Sequence, residues 1–270
     1  MDDHSTRTAT RPVPIGELLA AWLAVQRGDF RHRRQPASQQ MTVDSDQAPW
    51  QLAPGEAPVL VIGCAGSVGA STVALLLATA AQAGRVVECA PSGCSGLAGA
   101  STAELGEAAG GWVQGRRGEA RIQRRPDRPS EPGAVPPPPA GTAGGVTVID
   151  AWWELSQLLP AAGWIADLAQ TCPRVVLVAR ASIPGVRRLE DDLALLGAER
   201  CWAVLTGAPP RQLPRPVEHS LGPLTRQLRD AERLFFLPND ARLATSGITT
   251  EPLPRSFDRT ARNLLEGLLP

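Results

Sequence analysis

Residues 59–91 read VLVIGCAGSVGASTVALLLATAAQAGRVVECAP, and this stretch decides the fold class. An uninterrupted apolar run ends at Gly63. A loop spelled Gly63-Cys64-Ala65-Gly66-Ser67-Val68-Gly69 follows, and Ser71-Thr72 then open a helical pattern. A second apolar run, RVVECA (85–90), completes a strand–loop–helix–strand unit. Glycines let the backbone turn sharply and bring its N–H groups to face an anion. The helix start adds the positive end of its dipole at the same place, so the loop suits phosphate. Two kinds of phosphate-binding loop compete for this spelling. One is a P-loop. The other is a G-x-x-G-x-x-G dinucleotide loop through Gly63, Gly66 and Gly69, in which Glu88, ending the second run, would hold a ribose hydroxyl.

Outward from this unit, apolar runs of strand length recur at 146–150, 174–179, 201–206 and 234–238. Most are continuous, as in strands buried on both faces. Helical spacing fills the gaps. Val186, Leu189, Leu193 and Leu196 share one face, with Ser182 and Pro184 as a start signal and Gly197 as a stop. ARNLLEGLL (261–269) adds a last helical stretch. The alternation predicts an α/β fold: three layers, αβα, around a mostly parallel, doubly wound sheet spanning residues 57–270.

Two segments fall outside that pattern. Residues 1–56 read as an N-terminal arm, partly disordered, with one short amphipathic helix at 17–26 that either docks on its own domain or binds a partner. Residues 113–145 are rich in Arg, Pro and Gly, with six arginines against three acids. They read as a disordered surface insertion, either a solvated linker or a docking segment for an acidic partner.

Composition excludes whole classes of chemistry. The 270 residues carry 27 basic and 27 acidic side chains, and every basic one is arginine. Without lysine there is no Schiff-base catalysis and no complete Walker A loop. A formal charge of zero argues against a general nucleic-acid binder. The five cysteines lack C-x-x-C pairing and the three histidines are scattered, so neither a disulfide framework nor a zinc site is expected. The uncharged stretch 57–84 is broken by glycines and diluted by hydroxyls, unlike a membrane span. MDDHSTRTAT has no signal-peptide pattern, and the expectation is a cytoplasmic protein.

The loop resembles the deviant P-loop of the ParA/MinD family, which reads roughly K-G-G-x-G-K-T-T. Gly66 and Gly69 fall on glycines, Ser67 replaces one, and Ser71-Thr72 fall on the hydroxyl pair. Ala65 stands at the signature lysine and Ala70 at the phosphate-cradling lysine. The stretch is also similar to the nucleotide loop of zinc-independent quinone reductases. Those enzymes need a large substrate domain before the loop, and only 62 residues precede Gly63. A short-chain dehydrogenase needs a Tyr/Lys pair that this chain lacks. Downstream, the stretches at 174–207 and 234–254 resemble the later strands and closing base loop of ParA/MinD proteins.

That resemblance implies a nucleotide site at Gly66, Ser67, Val68, Gly69, Ala70, Ser71 and Thr72, with Asn239 and Asp240 contacting the base. It implies magnesium at Ser71 and, through water, at Asp150, and a water-positioning role for Glu88. The implied cofactor is ATP or ADP with Mg2+, bound weakly; the dinucleotide reading implies NAD(P) instead. One charge-assisted hydrogen bond contributes about 1.5–3 kcal/mol, so losing the cradle lysine weakens binding about ten- to a hundredfold. Hydrolysis suffers more, since cations acting on the transition state are worth about a thousandfold. The expected protein is a degenerate ParA/MinD-like pseudo-ATPase: a positioning, regulatory or scaffolding subunit. Its expected partners are proteins of a secretion, pilus or partition machinery, with homodimerisation and recruitment to membrane-associated machinery. A structural interaction protein with no ligand is the other alternative. Arg180, Arg187 and Arg188 are the candidates to replace the missing cations.

Overall fold

The computed structural model describes residues 50–208 and 213–269. The expected helix at 17–26 lies outside the described residues. In chain order the strands are β1 (Ala57–Gly63), β2 (Gly84–Glu88), β3 (Ala103–Ala108), β4 (Trp112–Arg117), β5 (Ala120–Arg124), β6 (Val146–Asp150), β7 (Val175–Arg180), β8 (Cys201–Thr206) and β9 (Leu234–Leu237). The helices are α1 (Ala70–Ala80), α2 (Leu97–Ala100), α3 (Leu155–Leu158), α4 (Trp164–Thr171), α5 (Ile183–Leu196), α6 (Arg215–His219), α7 (Pro223–Asp230), α8 (Ala241–Ser246) and α9 (Asp258–Leu268).

All the strands form one sheet in the order β3-β4-β5-β2-β6-β1-β7-β8-β9. Pairing is parallel from β5 to β9, and only the β3-β4-β5 end is antiparallel. The continuous apolar runs sort onto two faces because side chains alternate along a strand. Val59, Val61, Val148, Val176 and Val178 pack with α1 and α9. Leu60, Ile62, Ile149, Val175 and Leu177 pack with α3, α4 and α5. The three-layer αβα architecture is therefore the one predicted. Val73 through Ala78 of α1 are all buried, since this helix lies between the sheet and α9.

Strand order separates the two readings of the loop. In the doubly wound dinucleotide fold the first two strands are neighbours. Here β6 lies between them: Ala57 to Val61 pair with Val146 to Asp150, and Gly84 to Glu88 pair with the same residues from the other side. This is the order of a P-loop sheet and not of the NAD(P)-type alternative.

The domain begins before residue 57. Glu56 is buried and pairs with the buried Arg85 at 2.9 Å, and the Trp50 ring lies 5.2 Å from that of Trp164. The expected disordered insertion at 113–145 is overturned as well. Its first part forms β4 and β5, and β5 runs parallel to β2, extending the sheet. Its proline-rich part is tied down through carbonyls, which proline retains although it lacks an N–H. Trp164 Nε1 donates to Val135 O at 2.8 Å, Trp112 Nε1 to Pro137 O at 3.2 Å, and Arg85 Nη1 to Pro139 O at 2.6 Å. Gly141 N donates to Glu56 Oε2 at 3.2 Å. Composition misled here because the anchoring donors sit on distant elements.

Candidate functional site

The loop between β1 and α1 stands at the C-terminal end of the sheet, where ligands of such folds bind. Two of its residues are left-handed: Ser67 at φ 59° and Gly69 at φ 94°. Gly69 is also the residue before α1, and no side chain caps that helix. Its first N–H groups are left for a ligand or for water. A Cβ on Gly66 would meet nothing within 4 Å, so this glycine borders open space. The loop is held from β8, where Thr206 Oγ1 donates to Val68 O at 2.8 Å.

Ser67, Val68, Gly69 and Thr72 share a cavity of about 140 Å3 with Arg180, Thr206, Pro238, Asn239 and Asp240. The loop and the stretch after β9 thus meet although about 170 residues part them in the chain. Asp240 also caps α8: its Oδ1 accepts from Leu243 N at 2.8 Å. A second cavity, about 150 Å3, adjoins the other side of the loop and is lined by Cys64, Ala65, Gly66, Arg180 and Arg188. A larger cavity, about 600 Å3, is an open cleft between the last turn of α1 and residues 252–262, and no loop residue lines it.

Behind the loop, β2 and β6 place Glu88 and Asp150 side by side in register. Asp150 is fully buried, and neither carboxylate oxygen makes a hydrogen bond. Burial pushes its pKa from the ordinary 3.8 to about 6, although the nearby Ser71 hydroxyl and Trp152 amide favour the ionised form. Both groups approach the carboxylate without reaching hydrogen-bond geometry. Asp150 is not a helix cap, since Glu154 caps α3. Burial likewise lifts Glu88 to about 7. Its neighbour Asp150 adds to the shift, while Ser95, whose hydroxyl donates to Glu88 Oε1, and Arg124 oppose it. Glu88 faces a separate cavity of about 240 Å3 with Ser92, Arg124 and Arg125.

The unpaired Asp150 carboxylate beside the Ser71 hydroxyl fits a magnesium ion. Hard oxygen donors suit it, and it keeps several waters and phosphate oxygens of its own, so few protein ligands are needed. Among the described residues no three His, Cys, Asp or Glu side chains cluster as a protein-only metal cage.

The paired tryptophans after Asp150 divide. Trp153 is buried in the core with Trp112 and Val135, while Trp152 is 39% exposed at φ 62°. Neither lines the loop cavity. Thr206 and Phe257 are site-lining residues that the sequence reading missed. For Thr206 a signal existed, a hydroxyl ending an apolar strand immediately before Gly207.

Strand order and loop together give a P-loop NTPase-like α/β fold. The chain is similar in fold to the MinD cell division protein of Aquifex aeolicus (11% identity, 79% of this chain and 98% of that one, TM-score 0.49). A putative plasmid partition protein of Borrelia burgdorferi B31 bound to AMPPNP is also similar (10%, 78% and 97%, TM-score 0.45). So is a nucleotide-binding protein of Archaeoglobus fulgidus in complex with ADP (16%, 74% and 90%, TM-score 0.44). No protein-family model matches the chain, and no curated protein does. Among the described residues no helix is long and apolar enough to cross a membrane.

Proposed function

We propose that this chain is a degenerate ParA/MinD-like P-loop protein that binds ATP or ADP weakly and turns ATP over slowly or not at all. The observation that carries the reading is the loop itself. Its uncapped helix start and left-handed Ser67 and Gly69 present backbone N–H groups beside a cavity shared with Asn239, while Ala65 and Ala70 supply no cation. The loop amides from Gly66 to Thr72 hold phosphate, and Asn239 faces the base. A magnesium ion, where bound, offsets phosphate charge and is held by Ser71 and, through water, by Asp150. Glu88 then stands as the water-positioning carboxylate, separated from the loop cavity and half neutral near pH 7.

With hydrolysis weakened, the role left to this fold is positional: a regulatory or scaffolding subunit in the cytoplasm, paired with itself or with proteins of a partition, pilus or secretion machinery. The test is calorimetric titration of the protein with ATP and ADP, with and without magnesium, beside a turnover assay. Micromolar-to-millimolar binding that Ser71→Ala weakens only when magnesium is present supports the reading. Ordinary magnesium-dependent turnover abolished by Ser71→Ala overturns it, as does failure to bind either nucleotide.

A further inference from the structure

We infer that Arg180 is the cation that faces a bound phosphate here, standing in for the lysines that Ala65 and Ala70 do not supply. The inference rests on the nucleotide reading above. Arg180 ends β7, the strand beside β1, and Gly63 pairs with Val178 two residues earlier. Its side chain therefore rises where the loop begins. Arg180 and Val68 are the residues that line both cavities flanking the loop, the one holding Ser67, Gly69 and Thr72 and the one holding Ala65 and Gly66.

Its guanidinium has a seat. A Cβ built on Gly207 would lie 3.3 Å from Arg180 Cζ and 3.4 and 3.5 Å from Nη2 and Nη1. Near-equal distances mean that the plane lies face-on over this glycine, where a side chain would push it away. Gly207 follows β8, whose Thr206 holds the loop, so loop and cation are positioned by the same strand end.

The charge is also unspent. Among the described residues Arg180 has no carboxylate within 4.0 Å and its guanidinium donates no hydrogen bond, whereas Arg85, Arg117, Arg200 and Arg233 are engaged with carbonyls or carboxylates. Of the three arginines named from the sequence, Arg187 lines neither cavity. Arg188 lines only the Ala65 side, and its charge acts on Asp192. A planar guanidinium can take two phosphate oxygens at once, unlike the point charge of lysine.

Calorimetry with ATP, ADP and adenosine, on the unmodified protein and on Arg180→Ala, Arg180→Lys and Arg187→Ala, tests this. Arg180→Ala is expected to weaken ATP and ADP about ten- to a hundredfold and leave adenosine binding unchanged. Arg180→Lys recovers part of the loss, and Arg187→Ala binds like the unmodified protein. Arg180 is exposed, so unfolding temperatures should match across the series. Undiminished ATP binding by Arg180→Ala, or an equal loss for adenosine, overturns the inference and leaves the nucleotide reading standing. No ATP binding by the unmodified protein overturns both.

Discussion

Gly66 and Gly69 stand three residues apart in one loop and are glycine for different reasons. Gly69 has φ 94°, a conformation that costs other residues about 1–2 kcal/mol. Gly66 has nothing within 4 Å of where a Cβ would sit. Gly69→Ala is thus expected to lower the unfolding temperature. Gly66→Ala should leave it unchanged and weaken nucleotide binding, because the methyl enters the space that the phosphate needs. Equal effects on stability would contradict this division. Asp192 gives a residue-scale prediction in pH. Burial raises its pKa to about 6; Asp191 and Glu154 push the same way, and Cys64 and Arg188 oppose. A raised acid favours the neutral form in the fold. Its contribution is therefore full below the ordinary 3.8 and lost as pH rises through about 6. Asp192→Asn should flatten the fall in stability across that window. The difference should be well under about 3 kcal/mol, since the side chain is partly exposed. An unchanged slope in pH-dependent thermal unfolding would refute the assignment.

At the scale of elements, α5 was legible nearly to the residue. Ser182 Oγ accepts from Gly185 N at 3.2 Å at its start, and Gly197 at φ 83° ends it. Its signals are local, a cap, a periodic face and a stop, and local signals survive in sequence. Residues 113–145 were misread for the opposite reason. Nothing within that segment announces that Trp112, Trp164 and Arg85 will donate to its carbonyls. Trp164→Phe keeps an aromatic ring but removes one buried donor bond and part of the indole's packing. It should cost at least about 1 kcal/mol and speed thermolysin cleavage between residues 128 and 145. Cleavage at the unmodified rate would show that the carbonyl bonds do not order the segment.

At the scale of the molecule, Glu56 and Arg85 link the start of the domain, β2 and the end of the proline-rich stretch. Arg85 Nε donates to Thr147 Oγ1 at 2.6 Å and Nη1 to Gln123 Oε1 at 2.8 Å. Both charged groups are buried. Glu56→Ala strands the guanidinium and should cost about 3–5 kcal/mol in chemical denaturation, far more than an exposed pair would. A loss below about 1 kcal/mol would mean that solvent reaches the site.

The sequence alone determined the α/β class, the buried parallel strands, and the phosphate-shaped loop with alanine at 65 and 70. Each is written in periodicity or residue type over a few neighbouring positions. Tertiary structure decided that β6 separates β1 from β2, which chose the P-loop reading over the dinucleotide one. It also decided that Asn239 and Asp240 share a cavity with the loop, and that Arg180 rather than Arg187 borders both cavities. Those outcomes depend on pairing between strands far apart in the chain. Backbone hydrogen bonds are the same for every residue type but proline, so the order of strands leaves no local mark in the sequence.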